Sequence, residues 1–141
     1  MAFHNHPNGG GLVEDTATVA ETAYVGENAR VSGHAEVLEN AQLLDRATVC
    51  GNASLHGNAC LAGNARVCGY ARVYGDAKVF GFALISGNAQ VYGTSQAYGD
   101  AHIFGSAAVF GEAHVKGNAW VYEDAEVSGR TMVSDYAKRS T

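Results

Sequence analysis

No run of apolar residues in this 141-residue chain is long enough to cross a bilayer. The opening MAFHNHPNGGG has neither the basic stretch nor the apolar stretch of a secretion signal. Both absences argue against a membrane or exported protein and make the cytoplasm the expected compartment. Cysteine is sparse and odd in number, with three residues, which fits reduced thiols better than a disulfide framework. The most informative absence is that of any insertion. From Val13 to Val133 a six-residue pattern recurs 21 times without gaining or losing a residue.

The pattern has three fixed places. Val13, Val19, Val25, Val31, Val37, Leu43 and their successors in steps of six are all aliphatic, with Ala97 the one small member. Four residues after each stands a small residue, Ala17, Ala23, Ala29 and onward, interrupted only by Ser95 and Thr131. Two residues after each stands Gly, or in the remainder Asp or Glu. Repetition of this fidelity outranks local propensity and means a solenoid. Ala-x-Val alternates sides with a period of 2, which is a short strand, and the following Gly-Asn or Gly-Asp accepts positive φ cheaply and turns a corner.

Three strands and three corners close an eighteen-residue triangular coil, so like residues stack coil upon coil. The expected fold is therefore all-β: a single left-handed parallel β-helix of about seven coils, with no capping helix. At about 4.8 Å per coil the prism is roughly 34 Å tall. Residues 1–12 form a flexible N-terminal segment or cap, 13–136 the β-helix and 137–141 a C-terminal tail. Inward aliphatics worth about 1.5–3 kcal/mol each give the domain burial enough to fold alone.

The segments VSGHAEV, VCGNASL, LAGNARV, VYGDAKV, ISGNAQV and VKGNAWV resemble the hexapeptide-repeat proteins, and most nearly the short uninterrupted ones of bacteria and phages. The resemblance covers roughly nine tenths of the chain. It implies the left-handed β-helix, but that superfamily holds acyltransferases, sugar-nucleotide enzymes, γ-class carbonic anhydrases and proteins without chemistry, so the fold does not name a function.

Charge is unevenly placed. Residues 1–50 hold seven acids (Glu14, Asp15, Glu21, Glu27, Glu36, Glu39, Asp45) against Arg30 and Arg46, a net of −5, and the remainder sums to zero. The register puts Glu21 under Glu39 and Glu27 under Asp45. Like charges then repel at the first corners unless something basic or metallic neutralises them, or the acids form a solvated end. Arg66, Arg72 and Lys78 fall on three different faces and make no basic stripe, which argues against direct nucleic-acid binding.

Outward positions are free of packing duty inside the prism. One face carries the column Leu38, His56, Tyr74, Tyr92, Phe110. A second carries Leu44, Ala62, Phe80, Tyr98. The third carries Phe104 and Tyr122 beside His102 and Trp120, and the corners add Tyr70 and Phe82. Ten aromatics therefore stand outside the core between residues 70 and 122. Ladders of this kind can be a fold device, since each stacked pair contributes about 0.5–1.5 kcal/mol. Three faces of them point instead to a protein interface, with a second copy or another protein, at Tyr74, Tyr92, Phe110, Phe80, Tyr98, Phe104, Trp120 and Tyr122. Enzymes of the resembled superfamily usually assemble as trimers through prism faces, which implies a homo-oligomer.

Catalysis finds less support. In acyltransferases of that superfamily a His works with a loop interrupting the repeats, and a C-terminal helix caps the prism. Here no loop interrupts, and only SDYAKRST follows Val133. His56, His102 and His114 read first as surface residues, and an uninterrupted prism offers a general base no enclosed pocket except at a subunit groove. A zinc centre needs three converging ligands, whereas His34, His56, His102 and His114 share no column. His4-Asn5-His6 reads as part of a mobile tail. Cys50 and Cys68 stack eighteen residues apart, within bridging range, but the compartment favours free thiols. Outward Thr residues, such as Thr18 and Thr48, lie on different faces, which discards an ice-binding surface.

The reading is a non-catalytic interaction or structural protein without cofactor or metal, a phage-type accessory or inhibitor of a host protein in the host cytoplasm among its forms. The alternative is an acyltransferase-like trimer with His56, His102 or His114 in an intersubunit groove. At the ends, Ala2, Phe3 and Leu12 are expected to fold over the first coil and Tyr136 over the last, with Lys138 and Arg139 opposing end-to-end stacking, so that particles stay finite.

Overall fold

The structure, a computed structural model, describes residues 2–134 and the backbone of 138–140. Two-residue strands recur every six residues, each made of one outward residue and one inward aliphatic, as in Arg72–Val73 and Lys78–Val79. They assemble into three sheets. Sheet I has nine strands and runs from Phe3–Asn5 and Leu12–Glu14 to Trp120–Tyr122 and Lys138–Ser140. Sheet II has seven, Thr18–Val19 to Glu126–Val127, and sheet III seven, Tyr24–Val25 to Met132–Val133.

Apart from the first strand, every pairing is parallel with partners eighteen residues apart, such as Cys60 with Lys78 and Leu61 with Leu43. The molecule is a parallel β-solenoid of about seven coils, and no helix occurs among the described residues. The aliphatic and Ala positions fill its axis, and from Ala23 to Val121 they are at most 3 % exposed. Val19 and Ala17 are only partly covered, since among the described residues Thr18–Val19 is the terminal strand of sheet II. Ser95, the one polar residue in the small series between Ala23 and Ala125, is fully buried and donates its hydroxyl to the Tyr92 carbonyl at 2.7 Å. A short hydroxyl satisfied by its own turn is the cheapest way to put a polar atom in this core.

The corners show why Gly is needed. Gly63 sits at φ +64°, and a Cβ there would come within 2.9 Å of the Gly81 amide nitrogen one coil above. Both the left-handed backbone and the close approach of successive coils select against a side chain. Three acids nevertheless hold such corners, Glu39 at φ 59°, Asp45 at 54° and Glu123 at 56°. Two of them gain a compensating bond: Glu39 Oε1 accepts from the Gly57 amide at 2.9 Å, and Asp45 Oδ2 from the Gly63 amide at 2.9 Å. Glu14 does the same one residue before its corner, accepting from the Gly33 amide at 2.7 Å. Of the stacked acids expected either to need a neutralising partner or to form a solvated end, Glu39 and Asp45 find theirs in the backbone. Each carboxylate reaches upward to an N–H that the Gly-over-Gly corners leave without a side-chain acceptor.

The N-terminus differs from a mobile tail. Phe3–Asn5 runs antiparallel to Leu12–Glu14 and closes the first edge of sheet I. The connecting loop bonds to the first strand of sheet III, with Gly11 N–H donating to the Val25 carbonyl at 2.9 Å and Val25 N–H to the Asn8 carbonyl at 3.0 Å. His6 is buried and donates Nε2–H to the Ala23 carbonyl at 2.8 Å, while His4 meets Asp15 at 2.7 Å. Unpaired strand edges favour such a cover, and the repeat pattern carries no sign of the antiparallel pairing because Phe3–Asn5 precedes the repeat. At the other end, backbone 138–140 pairs with Trp120–Tyr122 and extends sheet I where a tail was expected. Tyr136 lies outside the described residues.

Cys50 and Cys68 are joined in a disulfide across adjacent coils, their Cα atoms 4.7 Å apart, and Cys60 is free. This corrects the expectation of three thiols. The register forces the two side chains into one outward column, and coil spacing lies inside the range a disulfide spans.

Candidate aromatic interface

Each column residue follows an inward aliphatic by one position, so eighteen-residue stacking superposes ring on ring. On sheet II, His56, Tyr74, Tyr92 and Phe110 form one continuous stack, with ring centroids 4.9, 4.9 and 5.1 Å apart and planes within 6° of parallel. On sheet III, Phe80 stacks on Tyr98 at 4.8 Å. The column's next place is Lys116, and Tyr98 meets His114 edge-on at 5.9 Å, with its hydroxyl 3.3 Å from His114 Nδ1. On sheet I, Phe104 stacks on Tyr122 at 5.3 Å, Trp120 lies over His102 at 5.9 Å and meets Phe104 edge-on at 5.9 Å.

This geometry alters what the columns can offer. Tyr74, Tyr92, Phe110, Phe80, Tyr98, Phe104 and Tyr122 are all half-buried; Tyr74 and Tyr92 are stacked on both ring faces, and each of the others on one. Tyr74 donates its hydroxyl to Gln90 Oε1 at 3.1 Å. Burial pushes its phenol pKa up, the neighbouring Tyr92 adds to the shift and the Arg72 cation opposes it. The stacks act as staples between coils as well as surface.

Exposed apolar side chains are found elsewhere. Trp120 and Phe3, each 40 % exposed, lie on sheet I, and Phe82, 64 % exposed, stands on the corner that leads into it. Tyr70, 63 % exposed, stands on the corner that leads out. Tyr24 and Met132 are exposed on sheet III. The eight residues singled out from the sequence thus fall into three separate groups, and Trp120 is the one whose ring is exposed.

The histidines are dispersed. His56 is inside the sheet II stack with Nδ1 3.6 Å from Glu39 Oε1, His102 lies under Trp120, and His114 faces Tyr98. Among the described residues no three His, Cys, Asp or Glu side chains are grouped closely enough to hold a metal ion. Sequence reasoning passed over the His56–Glu39 pair and the carboxylate-to-amide bonds. The signal for them was available, since Glu39 sits eighteen residues below Gly57 and beside His56 in the register. Among the described residues no helix is long and apolar enough to cross a membrane. No protein-family model, curated protein or solved structure matches the chain.

Proposed function

We propose that the chain is a non-catalytic interaction protein of the hexapeptide-repeat, left-handed β-helix type, a rigid prism that presents the sheet I face to a second copy of itself. The observation that carries this reading is that sheet I and its leading corner hold three exposed rings, Phe3 on the first strand, Trp120 on the eighth and Phe82 on the corner between them, against Tyr24 and Met132 on sheet III and, among the described residues, no large exposed apolar side chain on the strands of sheet II. Interfaces are anchored by a few large aromatic side chains within a flat, rigid surround.

The decisive measurement is solution mass by light scattering at low micromolar concentration. An oligomer that Trp120→Ala and Phe82→Ala together dissociate supports the reading, with Tyr92→Ala leaving the mass unchanged. A monomer, or an oligomer indifferent to both changes, overturns self-association through sheet I and transfers that face to a foreign protein, as an accessory or inhibitor of phage type would require. The acyltransferase-like reading has one observation in its favour, the Glu39 carboxylate beside His56 Nδ1, and it predicts a trimer in which His56→Ala abolishes acyl transfer. Disulfides are rare in reducing compartments, so the Cys50–Cys68 bond counts against the expected cytoplasmic placement.

A further inference from the structure

One groove on the prism combines a free cation, an exposed ring and a fence of amides. It runs along the corner between sheets I and II, has a volume of about 300 Å³, and is lined by Asn52, Ser54, Tyr70, Arg72, Asn88 and Gln90. The register explains the composition. Asn52, Tyr70 and Asn88 occupy the same corner place on three successive coils, so Tyr70 has an Asn one coil below and one coil above. Arg72 lies between its Cα partners Ser54 and Gln90 on sheet II.

Chemistry narrows the ligand. No acid lines the groove, and among the described residues Arg72 has no ion-pair or hydrogen-bond partner, so a single guanidinium remains available for a bidentate carboxylate. The Gln90 carbonyl is occupied by the Tyr74 hydroxyl, which turns its NH₂ into the donor left for a ligand. Asn52, Asn88 and Ser54 each offer both donor and acceptor atoms, the match for ligand hydroxyls that must give and accept at once. The exposed Tyr70 ring supplies an apolar platform. A volume at the lower end of the about 300–1,000 Å³ of small-molecule sites suits one six-membered ring. One positive charge suits a monocarboxylate better than a phosphate dianion.

We infer that this groove binds a carboxylated sugar unit, of the uronic or sialic acid class, with its ring on Tyr70, its carboxylate on Arg72 and its hydroxyls on the Asn and Gln amides. The inference is independent of the sheet I interface, because the lining residues other than Tyr70 and its corner neighbours belong to sheet II. The test is an NMR titration of the full chain with D-glucuronic acid, N-acetylneuraminic acid and, as neutral comparator, D-glucose.

Saturable shifts of the Asn52, Asn88 and Gln90 side-chain amides are expected with at least one of the acids. Arg72→Gln should weaken that binding roughly tenfold and bring it level with glucose, Tyr70→Ala should weaken it comparably, and Trp120→Ala should leave it unchanged. Both groove side chains are exposed, so the variants should keep the parent's melting temperature. No saturable shift up to about 10 mM, equal binding of glucose and the acids, or acid binding that survives Arg72→Gln would overturn the assignment.

Discussion

Replacing Asp45 tests whether the acidic corners are stabilised as the structure implies. Asp45 holds a left-handed backbone at φ 54° and its carboxylate accepts the Gly63 amide of the next coil at 2.9 Å. Asp45→Ala removes the acceptor and leaves a β-carbon at positive φ. An L-residue there costs about 1–2 kcal/mol, less for Asp or Asn, whose short side chains bond locally. The hydrogen bond to a charged acceptor is worth about 1.5–3 kcal/mol when sheltered, and about 1 kcal/mol at this exposed corner.

Together these give a loss of about 2 kcal/mol for Asp45→Ala. Asp45→Gly loses the same bond and some unfolded-state entropy but relieves the backbone, for a net loss of about 0.5–1 kcal/mol. Asp45→Asn keeps a carbonyl acceptor and stays within about 0.5 kcal/mol of the parent. The assay is urea denaturation followed by circular dichroism, with midpoints compared at constant m-value, alongside hydrogen exchange of the Gly63 amide. The expected order of stability is Asp, Asn, Gly, Ala. If Gly is no better than Ala, or Gly63 exchange is unchanged in Asp45→Ala, the compensation argument is wrong.

Tyr92 stands in the middle of the sheet II stack, so Tyr92→Ala removes two ring pairs and should cost about 1–3 kcal/mol, while Tyr92→Phe keeps both and costs little; denaturation midpoints decide. Because burial and Tyr92 raise the Tyr74 phenol pKa in the folded protein, its contribution to stability is complete below the ordinary tyrosine value of about 10 and is lost as pH rises through the folded value. The late end of the phenolate absorbance titration should lose amplitude in Tyr74→Phe. Burial also pushes the Cys60 thiol up, with Asp45 adding to the shift and Lys78 opposing it. Iodoacetamide at pH 8 should therefore label Cys60 more slowly in the folded than in the unfolded chain, and the unfolded, unreduced chain should titrate one thiol, rising to three after reduction.

The coil was readable because its determinants are local and periodic. Val, Ala and Gly each occupy one place in six, and any slip would bring outward residues such as Arg72 or Lys78 into the axis. Column membership followed from the same register. What the register does not encode is side-chain direction: it superposes Tyr74 and Tyr92 but cannot say that their faces cover each other, nor that Glu39 and Asp45 turn upward to an amide. Phe3 and Leu12 were expected to cover the first coil, but the antiparallel pairing of Phe3–Asn5 with Leu12–Glu14 escaped because Phe3–Asn5 precedes the repeat. The Cys50–Cys68 bond was within reach of the geometry but was set aside on an argument about compartment. The Tyr70 groove was hidden for another reason: its residues belong to two columns, and only the corner between them makes a concave site.

The constant offset of eighteen between paired strands makes length a quantised and otherwise free variable. Removing one whole coil, for example by joining Gly57 to Asp76 so that residues 58–75 are lost, returns every later residue to the sheet, corner and inward place it held before. Removing six or twelve residues keeps the core satisfied but moves every downstream aromatic to a different face. The solenoid can thus lengthen, shorten or rotate its display without redesigning its interior, while the reversed strand at Phe3–Asn5 confines such variation to the coils above it.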